Sequence, residues 1–410
     1  MERDAERAER VRRELIDANV DALICTLPMN VLLLSAYWPV IGSSIAVFTR
    51  DGSISLLVPE DEFELAKRGY ADDVRTYSTG TLSELISSID CLIEPLSRIL
   101  QQQKLDHARI GFESGAVSEP SSYAAMTFYG LSIRDLVTAV APDAALIPAG
   151  HLLARLTSVL TKAELDRLLI SCAIAEHAYT EGILEVCSGM RETEVADLLQ
   201  RRMSDASKFG SFVERADGFA YCMSGENSFE ASAAFQRSRK RRVSRRDIML
   251  LHCNSYADGF WTDITRTFCL GGTDELTVKV YRAIFAAREA AFKEIRPGVQ
   301  ARLVDAAARD VLKQHGFGDE FVHGLGHAVG FHAIDHNAPP RLHPASPDIL
   351  EEGMVFNVEP AVYIEGVSGI RHCDMVAVTR ESFKLLTPFQ ASFEELVLDV
   401  RDSAASGAIH

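Results

Sequence analysis

Side chains able to do chemistry cluster in four stretches of the second half of the chain. The first runs from Leu251 to Phe268, where His252 and Asp263 flank Ala257-Asp258-Gly259. Strand-forming residues lie on both sides of that tripeptide, so the stretch reads as a hairpin. If Ala257-Asp258 is the two-residue loop, His252 lies directly opposite Asp263. If Asp258-Gly259 is the loop, the two are diagonal neighbours on one face. Either register sets an imidazole beside a carboxylate, a pairing that packing rarely needs.

The second stretch is His323-Gly324-Leu325-Gly326-His327, continuing to His332 and His336; seven of the twelve histidines fall between 315 and 372. Glycines next to a histidine let the backbone approach a ligand closely. In the third, Gly353–Pro360, Glu359 ends an apolar strand, an odd place for an unpaired charge. In the fourth, Gly369–Asp374, strand alternation puts Arg371 and Cys373 on one face and His372 and Asp374 on the other. A guanidinium beside Cys373 would favour its thiolate. Each signal is weak alone. Together, His, Asp, Glu and Cys on separate strands of one half of the chain form a metal-binding set.

The elements that must position these groups follow from periodicity. Residues 1–150 read as an α/β unit: a helix through Asp17, a buried strand Ala22–Thr26 ended by Pro28-Met29-Asn30, an apolar run Val31–Trp38, and a hairpin of Ser44–Phe48 with Ser53–Val58. Pro148-Ala149-Gly150 marks a domain boundary, leaving 151–410 as a second domain. There, helices are expected over Thr161–Val186, with Thr161 and Glu164 spaced as a capping box, and over Glu192–Ser207, Glu275–Glu294 and Ala301–His315. Strands are expected at Phe219–Met223, Met354–Val358, Ala361–Ile364 and Met375–Val378.

The motifs Asp258-Gly259-Phe260 with Asp263-Ile264-Thr265-Arg266-Thr267-Phe268, HGLGH at 323–327, EEGMVFNVEP at 351–360 and GIRHCD at 369–374 together resemble the creatinase/Xaa-Pro aminopeptidase/methionine aminopeptidase family. The resemblance covers most of 151–400 and implies a pita-bread C-terminal domain. The N-terminal half resembles the smaller creatinase-type domain by organisation, making the whole an α/β (α+β) protein. Peptidases of that family hold two divalent ions with two Asp, one His and two Glu. Asp263, His327 and Glu359 match that set. His252 and Cys373 stand where the family has Asp and Glu, and the family's substrate-facing histidine falls at Ser232. The family's second histidine after HGLGH falls near Ile334, between His332 and His336.

The resemblance implies a hydrolase of C–N bonds in a small amide or short peptide, Xaa-Pro peptidase-like or creatinase-like. Its altered ligands, His252, Asp263, His327, Glu359 and Cys373, would hold one divalent ion (Zn, Fe or Mn) or none. His323, His332, His336 and Arg371 are the candidates for acid-base and charge-stabilising roles. By the same resemblance the protein is a homodimer, with Tyr37 or Trp38 bordering the partner's pocket. Two alternatives stand beside this one: a metal-free, creatinase-like amidinohydrolase, and a binding protein that keeps the fold without the reaction. A carbon–sulfur lyase is a further outcome on the fold that no residue here favours.

Composition bounds these readings. A hydrophobic content of 47% in 410 residues supports two full cores. A formal charge of -16 argues against nucleic-acid binding, so the basic run Arg237–Arg246 reads as a solvated turn or a steering patch for an anionic substrate. Eight scattered cysteines without a CxxC pair suit a reducing cytoplasm. The charged start lacks a signal-peptide core, and no apolar run is long enough to span a membrane.

Overall fold

A computed structural model describes residues 3–402 apart from 41–42, 79, 82–83, 86, 88, 115–132, 206–207, 211–212 and 233–236. The chain divides into two compact units, 1–157 and 158–410.

The first unit is built on a mixed six-stranded sheet in the order Asp73–Tyr77, Ile54–Pro59, Ile45–Thr49, Ala22–Cys25, Arg109–Phe112 and Ala145–Pro148. Helices Asp90–Gln102 and Ile133–Val140 cover it. Their apolar positions Leu92, Leu96, Ile99, Leu136 and Val137 recur at helical spacing and are buried with Ala22, Ile24, Ile45 and Val47 of the sheet. Pro28 does more than end the strand before it: it opens a helix, Pro28–Ser35, where its missing N–H costs nothing. Most of the apolar run expected after it is therefore helical. Tyr37 is buried in this unit, and its hydroxyl donates to Glu62 at 2.8 Å. Trp38, beside it, is half-buried.

The second unit opens with the helix Lys162–Gly182, closed at its start by the reciprocal Thr161–Glu164 capping box. The next helix spans Glu192–Met203; two residues expected in it, 206 and 207, lie outside the described ones. The main sheet has the order Ala216–Ser224, Ile248–Ala257, Ile264–Leu270 and Val397–Leu398, with the short strand Phe260–Trp261 paired to the second. Asp258 and Gly259 both have positive φ, 45° and 87°. They form the two-residue hairpin loop, which selects the diagonal register: His252 faces Thr265, and Asp263 sits one pair further along the same face. A smaller sheet joins Val355–Val358, Asp374–Val378 and Phe383–Leu385, and the hairpin Ala361–Ile364 with Ser368–Arg371 lies apart from it. Helices Glu275–Glu294 and Ala301–Gln314 complete the unit.

The basic run is pinned down for much of its length. Arg241 pairs with Asp247 at 2.6 Å, Arg237 reaches Glu230, Arg245 reaches Asp399, and Arg242 donates to the Gly189 carbonyl. Behind the main sheet, the buried Arg266 guanidinium donates to the carbonyls of Cys373, Thr387 and Phe389 and to Asp374 at 2.6 Å. Asp374 also receives Arg288 at 2.5 Å. With two guanidinium partners its carboxyl stays far below the usual range despite burial. This ion cluster ties the strand after Cys373 to the strand after Asp263.

Candidate functional site

Backbone pairing, rather than side-chain packing, brings the four chemical stretches together. The strand Ile248–Ala257 carries His252. The strand Ile264–Leu270 beside it presents Thr265, with Asp263 just ahead of it. Cys373 bridges to Thr265, its N–H donating to the Thr265 carbonyl at 3.0 Å. On the other side, residues 325–328 run along the strand Val355–Val358: Asn357 N–H donates to the His327 carbonyl and Glu359 N–H to that of Leu325, at 3.1 and 2.8 Å. Gly326 is required there, because a Cβ would lie 1.9 Å from the Asn357 carbonyl oxygen.

The result is a buried group of His252, Asp263, His327, Glu359, Arg371 and Cys373. His327 Nε2 lies 3.4 Å from Asp263 Oδ2 and 3.9 Å from Glu359 Oε1. Its Nδ1–H donates to the Ala328 carbonyl at 3.0 Å. Asn357 is fixed by accepting the His327 backbone N–H at 2.7 Å, which turns its Nδ2 toward Nε2 at 3.1 Å. Burial lowers the His327 proton affinity, but Asp263 and Glu359 more than compensate and hold it near 9. That charge state would set a donor against the Asn357 donor; the hydrogen-bond pattern instead calls for a lone pair on Nε2, and the pattern of fixed donors decides the tautomer. His327 thus offers an electron pair between two carboxylates. Among the described residues no group of three or more His, Cys, Asp or Glu side chains is placed so that it could hold a metal ion as it stands.

His252 is differently placed. Its Nδ1 is 2.9 Å from Thr265 Oγ1 and 3.2 Å from Arg371 Nη2, and its Nε2 is 3.1 Å from Asn254 Oδ1. Asn254 Nδ2 donates to the Thr262 carbonyl, which fixes its oxygen toward the imidazole. Nε2 therefore carries the proton and Nδ1 accepts. Burial, with the Arg371 charge adding to it against Asp263, pushes His252 down to about 4, so the ring is neutral. Asp263 Oδ1 is 3.7 Å from Nδ1, the diagonal proximity expected of the hairpin. Burial alone would raise the Asp263 carboxyl; in the acid range where it titrates, His252 and His327 in their protonated forms, with Arg371, outweigh burial and leave it below the usual range. Glu359 goes the other way: burial lifts it to about 7 against the pull of Arg371 and His327.

Arg371 forks across the site. Nε donates to Thr265 Oγ1 at 3.0 Å and is 3.9 Å from Glu359 Oε2, while Nη1 reaches the Tyr363 hydroxyl at 3.4 Å. Tyr363 in turn is 3.1 Å from His323 Nε2, and His323 Nδ1–H donates to the Gly324 carbonyl at 2.8 Å. His323 is thus neutral, depressed by burial to about 4.

Cys373 lies on the Arg371 face, as alternation requires, but not as a thiolate. Its Sγ sits 3.3 Å from the Asp263 carbonyl oxygen, to which the S–H donates. Burial, then Asp263 and Glu359, push the thiol well up, and Arg371 does not offset them. The expectation of a guanidinium-activated thiolate is therefore overturned: two carboxylates and desolvation outweigh one cation.

Of the histidines after HGLGH, His336 packs against His327, ring centroids 4.8 Å apart, and burial pushes it down to about 3. His332 contributes its backbone carbonyl to Gly330 N–H, and no hydrogen bond or ion pair links its side chain to the site among the described residues. Ser232 ends the 3-10 segment Gly225–Ser232, also without a bond to a site residue; its neighbour Ser228 receives Gly369 N–H. Tyr37 and Trp38 belong to the first unit.

Four site residues were not singled out from sequence: Tyr363, Thr265, Asn254 and Asn357. Strand alternation could have found them. Thr265 and Asn254 share the face of His252, and Tyr363 is the diagonal neighbour of Arg371 across the Ala361–Arg371 pair.

Comparison with known proteins agrees with this architecture. A model for metallopeptidase family M24 matches residues 166–380, and one for the creatinase/prolidase N-terminal domain matches 7–159. A Xaa-Pro dipeptidase of Pyrococcus furiosus is 26% identical over 388 residues, covering 93% of this chain and 97% of that protein. The solved prolidase from Pyrococcus furiosus superposes with a TM-score of 0.70 at 25% identity, covering 92% of this chain and 98% of that one. An X-Pro aminopeptidase structure from Thermotoga maritima gives a TM-score of 0.76 at 22% identity, covering 94% of this chain and 100% of that one.

Proposed function

This chain belongs to metallopeptidase family M24, and from that premise we propose that it hydrolyses the C–N bond of a small Xaa-Pro-like dipeptide, using a divalent ion held by Asp263, His327 and Glu359. The observation that carries the proposal is the convergence of those three side chains, with His327 Nε2 offering a lone pair 3.4 and 3.9 Å from the two carboxylates. Those donor types suit a divalent ion, and the side chains would have to draw closer together to hold one. The Nδ1–H to carbonyl bond of His327 is the orienting contact that metal-binding histidines use. The full-length Xaa-Pro dipeptidase relative supports the substrate class.

A bound ion would polarise the scissile carbonyl and lower the pKa of a water molecule. The rest falls to the chain. Asp263 and Glu359 would balance the charge of such an ion. The Arg371 guanidinium, fixed by Thr265 and His252, faces the same pocket and would stabilise negative charge developing on the carbonyl oxygen. Tyr363, hydrogen-bonded both to Arg371 and to His323, helps hold the guanidinium in place. A cytoplasmic homodimer is part of the same proposal.

The test is release of proline from a panel of Xaa-Pro dipeptides by the purified protein with Mn2+, Zn2+ or Fe2+, and again after EDTA. Turnover with metal and its loss in EDTA is the expected result. Undiminished turnover in EDTA would favour the metal-free, creatinase-like reaction, and no turnover on any peptide would favour a binding protein.

A further inference from the structure

We infer that this site takes one divalent ion and not two, and that a guanidinium–imidazole pair, Arg371 hydrogen-bonded to His252, occupies the flank where a second ion would need ligands. The inference rests on the proposed ion at Asp263, His327 and Glu359, and it assigns His252 as a positioning residue rather than a ligand.

Three observations carry it. First, both ring nitrogens of His252 are committed. Nδ1 accepts from Arg371 Nη2 at 3.2 Å and lies 2.9 Å from Thr265 Oγ1, while Nε2 donates to Asn254, itself anchored on the Thr262 carbonyl. Freeing a lone pair for a metal would break either a buried charge-assisted bond or the Asn254 bond, leaving a buried donor without its partner. Second, Cys373 is turned onto a backbone carbonyl, with Sγ 3.3 Å from the Asp263 oxygen. The Cys373 backbone is held separately, its N–H donating to the Thr265 carbonyl. Third, charge decides against a second ion. Among the described residues, Asp263 and Glu359 are the carboxylates that meet His327, and Arg371 already sets a fixed cation 3.9 Å from Glu359. One dication can be balanced by two carboxylates. A second would place two further positive charges, uncompensated, beside a buried guanidinium, and desolvating unpaired charge costs several kcal/mol per ion.

The arrangement gives Arg371 a particular job. Its fork is held in one plane by Thr265, His252 and Tyr363. An imidazole whose Nε2–H is taken up by Asn254 is what allows this: its Nδ1 accepts from the guanidinium without cancelling its charge, as a carboxylate at 252 would. The full cation stays available to the substrate oxyanion.

The experiment is Mn2+ titration of the EDTA-stripped full chain, followed by calorimetry and by electron paramagnetic resonance, with elemental analysis after dialysis. One Mn2+ per chain with an uncoupled Mn(II) spectrum is expected. Two per chain with a coupled spectrum would overturn the inference while leaving the hydrolase reading intact. No bound Mn2+ with hydrolysis preserved would overturn both. His252→Ala separates positioning from ligation: Mn2+ affinity should stay within about twofold of wild type, while kcat falls at least about tenfold, with partial rescue in His252→Asn, which keeps a neutral acceptor. A tenfold or greater loss of Mn2+ affinity in His252→Ala would make His252 a ligand and defeat the assignment. In the double variant His252→Asp/Cys373→Glu the count should rise to two; a count still at one would show that these two positions are not what excludes the second ion.

Discussion

Replacing His372 by Leu should make the protein less sensitive to acid, by an amount the structure sets. His372 is buried between the Phe285 ring, 5.1 Å away, and the Arg266–Asp374–Arg288 cluster. Neither ring nitrogen is hydrogen-bonded, although Nε2 comes within 3.4 Å of Asp374 Oδ2. Burial, with Arg266 adding to it, pushes the imidazole down to about 4, and Asp374 does not restore it. In the unfolded chain its value returns to about 6.5. Between those limits the unfolded chain binds a proton that the folded chain refuses, so stability is level at high pH and falls as pH drops through 6.5 toward 4. For one group with these two values, the loss between pH 8 and pH 5 is about 2 kcal/mol. Other depressed histidines, His252, His323 and His336, contribute to the wild-type slope; the difference between wild type and His372→Leu isolates His372. Urea unfolding followed by Trp261 fluorescence, in a Trp38→Phe background so that the signal comes from the second unit, would measure it. At pH 8 the variant should match or exceed wild-type stability by about 1 kcal/mol, because two buried unpaired nitrogens are gone. At pH 5 the advantage should grow by about 2 kcal/mol. Parallel pH profiles for the two proteins would refute a buried neutral imidazole at this position.

Asp263→Ala should cut turnover on a Xaa-Pro dipeptide at least about a hundredfold, with the near-native circular dichroism retained; unaltered turnover would remove the site from any role in the reaction. Gly326→Ala drives a Cβ into the Asn357 carbonyl, so it should lower the melting temperature and also Mn2+ affinity, through His327; a variant with wild-type values of both would show that the 325–328 segment can retreat. Cys373 should resist iodoacetamide at pH 8 in the native state and react on unfolding, as peptide mapping would reveal; native labelling with loss of activity would mark it as an accessible thiolate. Thr161→Ala removes the capping box of the helix Lys162–Gly182 and should cost about 1 kcal/mol in unfolding.

Much of this site was legible because strand periodicity is two and the hairpin leaves few registers. Either loop placed His252 beside Asp263, and the positive φ of Asp258 and Gly259 chose the diagonal one. Arg371 and Cys373 were rightly placed on one face. The roles were harder. Nothing in the spacing reveals that Arg371 takes up Nδ1 of His252, because that bond joins strands 119 residues apart, whereas Asn254 sits two residues along the same strand. The Cys373 protonation state went the opposite way to expectation, since it depends on the sum of burial, two carboxylates and one guanidinium, and the sequence displayed only the last as a near neighbour. His336 rather than His332 meets His327 because the loop after Gly330 folds back, with Asp335 N–H bonded to the Ala328 carbonyl, a return that no local periodicity announces. Pro28 was read as a stop when it was also a start, a familiar ambiguity of a residue compatible with both.

The backbone bonds that assemble the pocket are indifferent to what it contains. His252 is carried by a strand laddered on both sides, to Ala216–Ser224 and to Ile264–Leu270, and Cys373 is held at Thr265 through its N–H. Neither connection involves a side chain. Asp374 and Arg266, one residue away on the opposite face, bind the same strands together from behind. An ancestral lineage could therefore exchange the groups at 252 and 373 repeatedly without passing through an unfolded intermediate, each exchange altering the contents of the pocket and leaving its walls in place. A rack of this kind lets chemistry drift faster than shape, and a descendant can keep its ancestors' outline while working with a different set of tools.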